Sequence, residues 1–155
     1  MFLFSLKVAF PCRVFLIRGN HEFRDCNKIM AKQGLVGFEE SLRQRFGPKE
    51  GPNVFEFTHQ AFDWLPLAAV VARTVLVLHG GIGDGSWTVA DIEAIQRPIL
   101  DLSEDKNGTF SRERMIMRDC LWSDPMDGDE TMHRGTDLFR STARPLSTNS
   151  VLAQY

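Results

Sequence analysis

The sequence predicts an α/β chain, one domain or part of one, in which short buried strands end in polar loops. Two continuous apolar runs of strand length, Val14-Phe15-Leu16-Ile17 and Thr74-Val75-Leu76-Val77-Leu78, are each followed at once by a glycine-bearing polar segment. Stretches with helical spacing of apolar residues lie between and after them. No internal repeat interrupts this alternation, so the order reads strand, helix, helix, strand, helix, strand.

The apolar start, Met1 to Pro11, reads as the end of a buried helix cut by the beginning of the chain. Lys7 lies inside the run, and it is far short of the ~20 apolar residues that span a bilayer. Val14 to Ile17 is the first strand, and Arg18-Gly19-Asn20 turns the chain out of it. Phe38, Leu42 and Phe46 recur every four residues, with Glu39 and Arg43 spaced to pair on the outer side. That pattern is an amphipathic helix stopped by Gly47-Pro48. A second helical stretch runs from about Phe55 to Trp64, offering Phe55, Ala61, Phe62 and Leu65 to a core, and ends near Pro66. After the strand 74–78, Thr88 caps a short helix through Ile95, with Val89, Ile92 and Ile95 on one face. Met115 to Trp122 reads as a last strand. The polar final twenty residues have no period and are expected to be poorly ordered.

The chain has 155 residues, 43% hydrophobic and 25% charged, which is enough for a real core. Its formal charge of −2 argues against a general nucleic-acid binder, and no membrane association is expected. Cys12, Cys26 and Cys120 form no C-x-x-C pair and no even-numbered framework. Buried or idle thiols in cytoplasm or nucleus are therefore expected.

The chemistry concentrates where the two strands end. Ile17 leads into Arg18-Gly19-Asn20-His21-Glu22, and Leu78 leads into His79-Gly80-Gly81. Adjacent strands ending together bring Asn20, His21 and His79 into one crevice, the usual place for ligands in α/β sheets. Gly19, Gly80 and Gly81 let the backbone approach a bound ion or phosphate. A carboxamide oxygen and an imidazole nitrogen suit Mn, Fe or Zn, and a pair of such ions orients a phosphate and activates water. His21 can donate a proton to a leaving alkoxide. Arg134, in His133-Arg134-Gly135, offers a planar fork matched to phosphate oxygens. Singly, each has a plainer reading: His79 as a hydrogen-bonded structural residue, 79–85 as a loop without the Gly-Lys-Ser/Thr of a P-loop, Arg134 as a solvated charge. His59 and His133 read as structural, and Trp64, Trp87 and Trp122 as packing residues.

Arg18-Gly19-Asn20-His21-Glu22 resembles a signature of the phosphoprotein phosphatases, the family of protein phosphatases 1 and 2A and calcineurin. Phe62-Asp63-Trp64-Leu65-Pro66-Leu67-Ala68-Ala69 is similar to the stretch before that family's next strand. His79-Gly80-Gly81 resembles its His-Gly-Gly signature, and Leu121-Trp122-Ser123-Asp124-Pro125 its Trp-Ser-Asp-Pro signature. Leu6 to Pro11 resembles the helix end before its Arg-Gly-Asn-His-Glu strand. Gly81-Ile82-Gly83 and Ile95-Gln96-Arg97-Pro98-Ile99 look most like the Kelch-repeat-associated branch.

The resemblance implies a partial calcineurin-like metallophosphoesterase β-sandwich flanked by helices and truncated at both ends. Residues 1–135 would form the partial catalytic domain and 136–155 a divergent tail. It implies metal-dependent hydrolysis of phosphoserine and phosphothreonine in proteins, with Asn20 and His79 as ligands of one of two divalent metal ions. His21 is then the general acid, Arg134 binds the substrate phosphate, and Glu22 and Asp124 are supporting positions. Phosphoprotein substrates, regulatory subunits or an attached Kelch domain are the implied partners. The family's two aspartate signatures would precede Met1, and a later His ligand and a pocket Tyr would follow Tyr155. The alternative is therefore a catalytically inert fragment or pseudophosphatase that keeps an interaction surface.

Overall fold

The computed structural model describes residues 2–28, 36–104 and 107–123. Seven elements follow in order: α1 (Phe2–Ala9), α2 (Arg24–Lys28), α3 (Phe38–Phe62), β1 (Ala68–Val71), β2 (Val75–Leu78), α4 (Val89–Ala94) and α5 (Arg112–Trp122).

α1 is a helix, as expected, but none of its residues is buried: Phe2, Leu3 and Val8 are exposed. Apolar composition leads to burial only where a facing surface exists; Phe4 of α1 has its ring 5.9 Å from that of Phe62. Residues 14–17 carry no strand ladder, and Phe15 is exposed. The run is apolar enough for a strand but has no strand paired with it among the described residues.

α3 merges the two expected helices. Gly47 breaks it with φ 86°, a conformation glycine adopts without steric cost, so the stop at Gly47-Pro48 is real. The second half begins directly at Pro48, where a missing N–H is harmless, rather than near Phe55. Arg43 pairs with Glu39 at 3.0 Å, Leu42 and Phe55 are buried, and Ala61 is exposed.

β1 and β2 form an antiparallel hairpin, pairing Ala68 with Leu78 and Val71 with Val75. Its turn places Ala72 and Arg73 at φ 51° and 60°. On one face Leu76 and Leu78 pack against the core, while Val75 and Val77 on the other are exposed. This hairpin is the whole sheet among the described residues.

Thr88 caps α4 as expected, and the cap is reciprocal. Its hydroxyl accepts from the Asp91 N–H while the Asp91 carboxylate accepts from the Thr88 N–H. Those hydrogen bonds to Thr88 hold the Asp91 carboxyl below its usual range.

Residues 112–122 form a helix, α5, where a strand was expected. Ser111 caps it, and Ile116, Met117, Cys120 and Leu121 fall on one face at helical spacing. That face makes the centre of the core with Phe23, Leu67, Trp87, Ile95 and Ile99. Trp87 is buried and Trp122 half-buried, but Trp64 is exposed and does not act as a packing residue.

Candidate functional site

Two loops meet at the site, and each is shaped by its local sequence. The first, 19–22, leaves the apolar run at Arg18, whose N–H donates to the Pro66 carbonyl. The second, 79–81, leaves β2 and lies on the end of α5. The Gly80 N–H donates to the Cys120 carbonyl at 2.7 Å and that of Gly81 to the Asp119 carbonyl at 3.3 Å. A side chain at Gly80 would put Cβ 2.8 Å from the Leu121 carbonyl carbon. The close approach that Gly80 permits among the described residues is to the end of α5.

These loops bring together the two residues predicted to share a crevice. Asn20 Oδ1 accepts from His79 Nε2 at 3.0 Å, across 59 positions of sequence. Gly19 leaves room for this: a Cβ there would stand 3.3 Å from both Cε1 and Nδ1 of His79. His21 is exposed beside them, its ring 6.2 Å from that of Trp122 and tilted by 37°. Arg134, His133 and Asp124 lie outside the described residues.

The carboxamide oxygen and imidazole nitrogen are a donor pair suited to a first-row divalent ion. In number they fall short: among the described residues no group of three or more His, Cys, Asp or Glu side chains could hold a metal. These residues alone do not fit a two-ion centre.

Beneath the first loop lies a buried charge cluster without any signal in apolar periodicity. Arg18 is fully buried; Nη1 donates to the Ile99 carbonyl and Nη2 to the Glu22 carbonyl, both at 2.7 Å. Its guanidinium lies 3.9 Å from the centre of the Phe23 ring and 3.7 Å from Asp63. Burial pulls its pKa down to about 10, against the opposing pull of Asp63 and Glu22, so it stays charged at neutral pH. Arg24 donates to both oxygens of Asp63 at 3.0 Å and to Glu56 at 3.1 Å. His59 is structural, as expected: it is buried between Phe55 and Phe62, with Asn27 against its Nε2.

All three cysteines are free thiols. Burial pushes Cys120 up to about 12 and raises Cys26, so both stay protonated and unreactive, whereas Cys12 is exposed. No helix among the described residues is long and apolar enough to cross a membrane.

The site thus sets an Asn oxygen against a His nitrogen, with a second His exposed on the same loop as the Asn. Residues 1–147 match the family model described as calcineurin-like phosphoesterase, and the chain belongs to that family. Over 127 residues it is 39% identical to serine/threonine-protein phosphatase BSL2 of Arabidopsis thaliana, covering 82% of this chain and 11% of that protein. Over 129 residues it is 33% identical to the serine/threonine-protein phosphatase 4 catalytic subunit of Kluyveromyces lactis, covering 83% and 36%. A solved Saccharomyces cerevisiae protein serine/threonine phosphatase, described as similar to human phosphatase PP5, superposes with a TM-score of 0.62 at 30% identity. That match covers 83% of this chain and 35% of the yeast chain. The chain thus spans between about a tenth and about a third of these relatives' lengths. Its fold is a part of the calcineurin-like phosphoesterase fold.

Proposed function

We propose that this chain carries one side of a protein serine/threonine phosphatase centre that hydrolyses phosphoserine and phosphothreonine. The observation that carries the reading is the meeting of Asn20 Oδ1 and His79 Nε2 at 3.0 Å beside His21. Asn20 and His79 contribute an oxygen and a nitrogen to a divalent ion whose remaining donors lie outside the described residues. When bound, such ions supply charge neutralisation at the phosphoryl group and a water activated at neutral pH. His21, exposed at the loop tip, reaches the leaving alkoxide of serine or threonine and gives it a proton as the P–O bond breaks. Arg134 binds the non-reacting phosphate oxygens through its fork. Phosphoprotein substrates and a regulatory subunit or attached domain are the partners, and cytoplasm or nucleus, where thiols stay reduced, is the compartment. Residues 1–135 form the catalytic unit and 136–155 a divergent tail.

The second reading, an inert member that keeps only a binding surface, is favoured by one observation: no three-residue donor group exists among the described residues. Turnover of a phosphoserine peptide by the purified chain in millimolar Mn²⁺ separates the two. Slow, Mn²⁺-dependent release of phosphate is expected, with His21→Ala lowering kcat by on the order of 10²–10⁴. Turnover that is absent at saturating Mn²⁺, or that survives His21→Ala undiminished, overturns the proposal in favour of the inert reading.

A further inference from the structure

Two arginines bracket the first loop, Arg18 just before it and Arg24 just after it, and both converge on one carboxylate, Asp63. Asp63 stands at the C-terminal cap of α3, its N–H donating to the His59 carbonyl and its own carbonyl accepting from Ile99. Arg18 does more than pair with it. Its backbone N–H is tied to Pro66 at the loop's start, while its side chain crosses beneath the loop to the Glu22 carbonyl at the far end. The four-residue segment bearing Asn20 and His21 is thus closed from below by a single fully buried side chain. The other guanidinium arm fixes this closure to Ile99, in the wall formed after α4.

We propose that Arg18 and Asp63 are positioning residues: together they brace the 19–22 loop and set Asn20 against His79. The role assigned to that loop rests on the phosphatase reading; the brace itself does not. A buried cation is costly to desolvate, and well-packed apolar side chains commonly replace buried ion pairs without loss of stability. Retention here is accounted for by geometry, because only a planar fork can donate to the Glu22 and Ile99 carbonyls at once while facing Asp63. Lysine, a single ammonium on a flexible stem, keeps the charge and loses the span.

The test is nuclear magnetic resonance of the whole chain without metal, reading the nuclear Overhauser contact between the Asn20 carboxamide protons and the His79 ring. In Arg18→Lys the contact is expected to vanish while the methyl spectrum of the core stays dispersed. Leu42→Ala, which weakens α3 away from the loop, is expected to leave the contact in place. If Arg18→Lys does not fold, Asp63→Asn, which keeps an acceptor but removes the charge, is expected to weaken the contact in the same way. An unchanged contact in whichever of these variants is folded overturns the brace. So does an equal loss in Leu42→Ala. Because the readout needs neither metal nor turnover, an inactive chain leaves it intact, and a failed brace leaves the phosphatase reading to its own assay.

Discussion

The two arms of the site are held in place by different physics. The Asn20 arm rests on side-chain charge: Arg18 and Arg24 join the Ile99 and Glu22 carbonyls and the Glu56 and Asp63 carboxylates beneath it. The His79 arm rests on the absence of side chains: Gly80 and Gly81 lie on the last turn of α5 and donate their N–H groups to its carbonyls, that of Cys120 and that of Asp119, which also accepts from the Ser123 N–H. One arm is a polar network that fails when a partner is removed. The other is a close packing that fails when an atom is added.

The difference is sharpest at Asp63. Asp63→Ala leaves Arg18 charged and buried without its ion-pair partner, since Arg18 is fully buried and the Asp63 side chain is only 5% exposed. Removing one partner of such a pair costs about 3–5 kcal/mol. Urea unfolding followed by circular dichroism checks it, with the midpoint falling and the slope unchanged. A loss below about 1 kcal/mol, the usual worth of an exposed pair, would show that the network does not hold this arm, and the contrast between the arms would disappear.

The second arm breaks in the opposite sense. Gly80→Ala sets a methyl group 2.8 Å from the Leu121 carbonyl carbon and 2.9 Å from the Trp122 nitrogen, both backbone atoms that cannot rotate away. Such overpacking costs about 1–3 kcal/mol. The loop is expected to lift from α5, carrying His79 away from Asn20. A crystal structure or the melting temperature of the variant measures this, and an undisturbed Gly80 N–H to Cys120 bond would refute it.

The convergence of the arms is legible in the sequence because both functional runs follow short apolar segments of strand length. What braces them is not. Apolar periodicity reports only which residues leave water, and Arg18 and Asp63 are buried charges whose partners come from α3 and the segment after α4. Thr88 announces its helix because a cap is a local interaction. β1 carries no such signal, because no Gly, Pro, Asn or Asp marks the turn at Ala72-Arg73. In α5 the dense apolar residues of 115–122 suggest a strand and obscure a helical period that Ile116, Met117, Cys120 and Leu121 do carry. The exposure of α1 and Phe15 depends on which surfaces face them, and a one-dimensional pattern does not contain that.

The smallest expected effect concerns mild acid, which reaches the charged arm through His59. His59 is buried against the cluster; Arg24, Asp63, Glu56 and Arg18 are the charged groups facing it, and its Nδ1 has no hydrogen-bond partner among the described residues. Burial lowers its pKa to about 4, with Arg24 adding to the shift. The folded state therefore binds this proton less readily than the unfolded chain, whose histidines titrate near 6.5. The neutral imidazole's contribution is thus complete above pH 6.5 and is lost as the pH falls toward 4. One proton changes stability by at most about 1.4 kcal/mol per pH unit, so a gradual decline in melting temperature from about pH 7 to about pH 5 is expected. His59→Gln removes the titrating group and is expected to flatten that decline, while Gly80→Ala keeps its slope. A slope indifferent to His59→Gln would detach this histidine from the acid sensitivity of the Asn20 arm.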